Sequence, residues 1–121
     1  MLLAGIAVAG ALGAVARYLV DGFVIRRAIR GLPAATLAIN ISGSFVLGGL
    51  TGLALYHGLP ATPKLILGTG FCGGYTTFST FAYEVVRLSE QREQRAAALT
   101  LGLSIVVPAL AAGLGLALAA L

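Results

Sequence analysis

Residues 68–81 read GTGFCGGYTTFSTF. Four hydroxyl side chains, Thr76, Thr77, Ser79 and Thr80, follow a run of glycines and are punctuated by two aromatic rings, Phe78 and Phe81. For a helix that resumes near Thr76, steps of about 100° per residue put Thr76, Thr77, Ser79, Thr80, Tyr83, Glu84 and Arg87 on one broad arc. Phe78, Phe81, Ala82, Val85 and Val86 occupy the other, with the two rings one turn apart. Ring edges are positively polarised, and hydroxyls donate hydrogen bonds. Such a set can hold an anion that has lost its water without a formal positive charge to trap it. Simple core packing is the plainer reading of the two phenylalanines.

A second set lies upstream. Thr36, Asn40, Ser44 and Thr51 fall on one stripe of a helix that is otherwise apolar. An amide in the middle of a hydrocarbon layer is costly, so Asn40 either marks a pathway or ties two helices together. A third set, Thr100, Ser104 and Pro108, recurs at four-residue intervals. Pro108 has no N–H for the carbonyl of Ser104, which predicts a kink and a freed acceptor. Alternatively, Thr100 and Ser104 satisfy backbone groups in the kinked helix.

Gly68, Gly70, Gly73 and Gly74 precede the hydroxyl cluster. Each glycine weakens a helix by up to about 1 kcal/mol relative to alanine, which predicts a break near 72–76. Non-helical backbone at membrane depth is tolerated only where it is buried in protein or lines a wet cavity. Freed carbonyls there can coordinate a cation.

These sets must be positioned by apolar helices. The chain has 121 residues, of which 59% are hydrophobic and only 10% charged, a composition that belongs to membrane proteins. Charged residues divide it into four uncharged runs, 1–16, 31–63, 65–83 and 96–121. A helix needs about 20 apolar residues to cross the hydrocarbon core. The expected architecture is therefore an all-α membrane protein with spans over about 2–20, 33–56, 64–86 and 97–121, the third broken in mid-membrane. Span one uses residues past Arg17, and span three uses Lys64 and Glu84 as interfacial ends. A cleaved signal peptide over 1–16, suggested by AGA at 9–11, is disfavoured by the lack of a basic leader beyond the amino terminus. Gly5, Ala9 and Gly13, at four-residue spacing, allow close helix approach. Arg17 follows on the same stripe, where it snorkels to the interface or pairs with Asp21.

The net charge is +4, and its distribution is uneven. Arg26, Arg27 and Arg30 lie between spans one and two, and Arg87, Arg92 and Arg95 between spans three and four. The intervening loop has Lys64 alone. Both Arg-rich loops are expected in the cytoplasm, leaving both termini outside. Arginines beside spans point away from nucleic acid. A lone Cys72 makes no intrachain disulfide, and a lone His57 assembles no metal site. There is no GxxxxGK[ST] loop for ATP and no Ser/His/Asp or Cys/His set, so the chain does not read as an enzyme.

GTGFCGGYTTFSTF at 68–81, TLAINISGSF at 36–45 and GALGAVARYL at 10–19 resemble the Fluc (CrcB) family of fluoride channels, and the four-span pattern extends the resemblance over almost the whole chain. The resemblance implies a passive fluoride channel of a prokaryotic inner membrane, built as a dimer of antiparallel subunits in the lipid bilayer. It implies a structural Na+ at the dimer centre, not transported, held by the carbonyls of Gly73 and Thr76. A second subunit must complete that shell. It also implies two pores, each lined by Asn40, Phe78 and Phe81, with Ser79 and Thr80, and Thr77 less directly, extending the polar track. In the fourth span the family continues this track with aromatic or hydroxyl side chains, where this chain has Thr100, Ser104 and then Pro108.

Family members with balanced loop charges insert both ways. This chain places seven arginines, counting Arg17, on one side against Lys64 and the terminal amine on the other. That bias raises the expectation of one-way insertion and pairing with an oppositely oriented sister chain. Two other readings stand beside the channel. A proton-coupled small drug exporter needs a carboxylate within the membrane, for which Glu84 is the candidate. A non-conducting structural membrane subunit needs none of these roles.

Overall fold

The computed structural model describes residues 1–25 and 33–121, so Arg26, Arg27 and Arg30 and the turn after them lie outside the described residues. Every element among the described residues is helical. Among the described residues, three helices are long and apolar enough to cross a membrane: α1 (Leu2–Ile25), α2 (Ala34–His57) and α6 (Gln94–Ala119). The protein is an all-α, multi-pass membrane protein. Between α2 and α6 the chain is helical in pieces: α3 (Ala61–Lys64), a π-helical segment (Leu65–Cys72), α4 (Gly73–Tyr75) and α5 (Ser79–Glu90).

The first helix runs past Arg17 and Asp21, beyond the expected end near residue 20, because neither residue interrupts helical geometry. At the other end of the sequence, α6 is one helix through Pro108. Gly58, at φ 69°, takes the left-handed conformation that ends α2, and its N–H closes onto the carbonyl of Leu53. His57 Nε2 donates to the carbonyl of Ala119 at 2.7 Å, tying the end of α2 to the end of α6.

Where the glycines were expected to break the helix, the structure uses them otherwise. Gly68, Gly70, Gly73 and Gly74 are all helical, and the interruption falls later, at Thr76–Phe78. The reason is close packing. A side chain on Gly74 would run into the backbone of Gly10, one on Gly13 into the carbonyl of Phe71, and one on Gly70 into Ala9 and Ile6. Backbones of α1 and of the π-helical and α4 segments therefore lie almost in contact, as small residues permit between membrane helices. The same device joins α2 to α6: Gly48 faces the carbonyl of Ala112, and Gly115 faces that of Phe45.

Candidate functional site

At Thr76 the backbone turns extended, with φ −76° and ψ 160°, and α4 stops. Thr76 holds on to the last helical carbonyl, donating to Cys72 O from its amide at 2.9 Å and from its hydroxyl at 2.8 Å. The next residue leaves the helix altogether. Thr77 N donates to Asn40 Oδ1 at 2.8 Å, while Asn40 Nδ2 donates to Thr77 O at 2.8 Å. A backbone amide cannot accept and a carbonyl cannot donate, so this double pairing fixes the orientation of the Asn40 amide. Just before α5, Thr77 Oγ1 accepts from Thr80 N at 3.2 Å, tying the loop to the first turn of the helix. The same oxygen donates to Thr80 Oγ1 at 3.1 Å and lies 3.4 Å from Ser79 Oγ.

Two carbonyls lose their helical donors as a result. An unbroken helix would deliver Thr77 N to Gly73 O and Thr80 N to Thr76 O. The first amide goes to Asn40 and the second to the Thr77 hydroxyl. Thr76 O accepts instead from Arg17 Nη1 at 3.2 Å. Arg17 makes no ion pair with Asp21 among the described residues, so the expected pairing one turn along is not formed.

A pocket of about 290 Å³ opens beside this break. Of the expected pathway residues it gathers Asn40, Thr77, Phe78, Phe81 and Ser104, together with Ser44, Thr76, Ile105 and Pro108. Ser79 and Thr80 lie elsewhere. They line a second pocket of about 300 Å³ with Arg17, Tyr18, Asp21, Thr36 and Thr77. Thr77, paired with Asn40, thus borders both spaces. Gly73 borders neither of them.

Phe78 and Phe81 meet edge to face, with ring centroids 5.4 Å apart and planes at 76°. Their environments differ sharply: Phe81 is 8% exposed and Phe78 is 77% exposed. On the α6 side, the hydroxyls of Ser104 and Thr100 are buried with no hydrogen-bond partner among the described residues. They do not satisfy the backbone of α6 in the way the simpler reading of the Pro108 region expected. Asn40 retains a second amide hydrogen that has no partner among the described residues.

Sequence patterns named several residues without their partners. Thr36 Oγ1 donates to Glu84 Oε1 at 3.0 Å, and Glu84 Oε2 is buried without a partner among the described residues. Thr36 shares the Asn40 stripe and Glu84 the hydroxyl arc, which was the available signal. Ser42 and Tyr75 were missed. Ser42 donates to Ala38 O at 2.7 Å, so at the 2.9 Å contact Tyr75 OH is the donor to Ser42 Oγ. Among the described residues no cluster of His, Cys, Asp and Glu could hold a metal ion. Cys72 is buried and unpaired, a small packing residue. The polar surface beside the break is made of hydroxyls, one amide and ring edges, donors suited to a small anion.

The family model described as CrcB-like protein, Camphor Resistance (CrcB), matches residues 4–116. The chain belongs to the CrcB family. Its relatives include a protein of Leifsonia xyli named fluoride-specific ion channel FluC 1, 57% identical over 117 residues, which are 96% of this chain and 85% of that protein. Another, from Syntrophotalea carbinolica and named fluoride-specific ion channel FluC, is 46% identical over 98% of both chains. A third, fluoride-specific ion channel FluC 2 of Mycolicibacterium paratuberculosis, is 46% identical over 97% of this chain and 93% of its own. The CrcB family is one of ion channels, not of enzymes.

Proposed function

We propose that this protein is a fluoride-selective passive channel through which fluoride leaves the cytoplasm. The observation that carries the reading is the convergence of Asn40, Thr77, Phe78, Phe81 and Ser104 on one pocket at a helix break, in a chain whose relatives carry the name of that channel. Fluoride is small and tightly hydrated, so a pore must replace its water with donors yet bind weakly enough to release it. The second amide hydrogen of Asn40, the Ser104 hydroxyl and the edges of the two rings supply donors without a full positive charge. Ser79 and Thr80, in the second pocket that Thr77 borders, continue the donors. A cytoplasm held negative drives anions out, by about 2.3 kcal/mol for each 100 mV.

In this reading residues 64–86 form the third of four spans, broken within the membrane. The functional unit is a dimer of antiparallel subunits in a prokaryotic inner membrane. Support comes from Phe78, a pocket ring that remains 77% exposed in a single chain and that a second subunit would cover. The Arg bias favours cytoplasmic Arg-rich loops with both termini outside. It also favours a sister chain of opposite orientation over a second copy of the same chain. A C-terminal tag found on both faces of the membrane would remove the need for a sister chain.

A structural Na+ fits the residues at the break. Gly73 O and Thr76 O are uncharged oxygen donors whose helical hydrogen bonds are diverted to Asn40 and Thr77, and Thr76 O already accepts from a cationic side chain. When bound, the ion would bridge the two subunits and add positive charge near the pathway. Two carbonyls from each subunit would make the shell.

Fluoride efflux from liposomes, measured against chloride with the purified chain alone and together with its sister, tests the reading. Selective fluoride flux is expected, and a chain that reconstitutes with its sister yet passes neither ion would overturn it. The Oε2 of Glu84, buried without a partner among the described residues, favours a proton-coupled exporter. That alternative requires Glu84→Gln to abolish transport driven by a pH gradient. A non-conducting structural subunit requires Phe78→Ala and Phe81→Ala to change stability while leaving ion flux untouched.

A further inference from the structure

The guanidinium of Arg17 is held at Thr76 O, 3.2 Å away, by a hydrogen bond between residues 59 apart in sequence. Neither usual role of such an arginine accounts for it. It does not pair with Asp21 among the described residues, and it is part-buried against the break. Thr76 O is open to it because Thr80 N, the helical donor, is taken by Thr77 Oγ1 at 3.2 Å. The same carbonyl is one of the two assigned above to sodium. Two positive groups drawn to one oxygen repel each other strongly where water is scarce.

We infer that Arg17 and sodium compete for the carbonyl of Thr76, so that Arg17 is a built-in occupant of the ion site and withdraws when the ion is bound. The inference rests on the sodium assignment. Arg17 has somewhere to go: the pocket of about 300 Å³ that it already borders, beside Asp21, Thr36, Ser79 and Thr80. There the guanidinium keeps a carboxylate and hydroxyls as partners. Sodium occupancy would then move a positive charge from the break into that polar space. Linkage is reciprocal, so an anion in that space that stabilises the withdrawn guanidinium would tighten sodium binding by the same factor.

The test is thermal unfolding of the purified assembly in detergent over a series of sodium concentrations, with N-methylglucamine holding ionic strength constant. Arg17→Gln is expected to lower the sodium concentration for half-maximal stabilisation by at least about fivefold, the low end of ordinary coupling between sites. Arg17→Lys keeps a charge and should stay close to wild type. An unchanged or raised midpoint in Arg17→Gln, with wild type still responding to sodium, overturns the competition alone. A wild type indifferent to sodium removes the sodium assignment and the inference with it. Should Arg17→Gln not fold, the wild type carries the same question. Its Arg17 guanidinium NMR signal, identified by its loss in Arg17→Lys, must shift between sodium-free and sodium-saturated protein, and a fixed signal refutes the displacement.

Discussion

The side chain of Asn40 pairs with the backbone of Thr77 at both ends, amide to carbonyl and carbonyl to amide, each at 2.8 Å. One residue of α2 thereby takes the place that a helical neighbour would have filled. Asn40 is both helix glue and, through its remaining N–H, a donor beside the pocket; the two readings of its sequence position are compatible.

Asn40→Asp tests this directly. The substitution is nearly isosteric and preserves the acceptor for Thr77 N, but it sets an oxygen against the carbonyl of Thr77. A buried polar group left without its partner costs about 1–3 kcal/mol. Both Asn40→Asp and Asn40→Ala should therefore lower thermal stability and fluoride flux, whereas Asn40→Gln, which keeps the chemistry but shifts its reach, should fall between them and wild type. Unfolding curves and liposome efflux report the two effects separately.

The two rings should separate stability from conduction. Phe81, 8% exposed, fills the interior, and its removal to alanine should cost about 3 kcal/mol. Phe78, 77% exposed in the single chain, should cost under about 1 kcal/mol before assembly. Both substitutions are expected to reduce fluoride flux. Unfolding of the dissociated chain beside flux from the reconstituted assembly makes the comparison.

Gly73 and Gly74 are adjacent yet should respond oppositely to alanine. A side chain on Gly74 would meet the backbone of Gly10, which cannot move aside, and the substitution should destabilise by about 1–3 kcal/mol. Nothing lies within 4 Å of a side chain added at Gly73, so alanine there should be neutral or stabilising by up to about 1 kcal/mol in the single chain. Its carbonyl is unaffected. Under the proposed sodium and dimer assignment, loss of sodium-dependent stabilisation in Gly73→Ala would report crowding by the partner subunit, not loss of the ligand.

Ser104 offers a hydroxyl with no hydrogen-bond partner among the described residues. Because its buried Oγ has no partner among the described residues, Ser104→Ala should leave stability within about 0.5 kcal/mol of wild type or raise it slightly. Fluoride flux should fall all the same. Equal flux with unchanged stability would remove Ser104 from the pathway.

Much of this site was legible from residue order. Apolar run lengths and scarce charge are enough to imply membrane helices, because the bilayer imposes one length and excludes unpaired charge. The 3.6-residue period likewise puts Thr36, Asn40 and Ser44 on one stripe, and the hydroxyls opposite Phe81. These are local properties, and local spacing determines them.

Tertiary contacts decided the rest. Glycine weakens a helix and also lets another backbone approach, and only the neighbour determines which property matters. With α1 packed against Gly70 and Gly74, the helix continues through them. It breaks at Thr76–Phe78, where Asn40 competes successfully for Thr77 from 37 residues away and Arg17 reaches Thr76 O from 59 residues away. Sequence alone dictated which donors and acceptors this chain possesses; the packing of α1 and α2 against the third segment decided which backbone groups were released, because a helical hydrogen bond yields only where a better-placed partner is brought within reach.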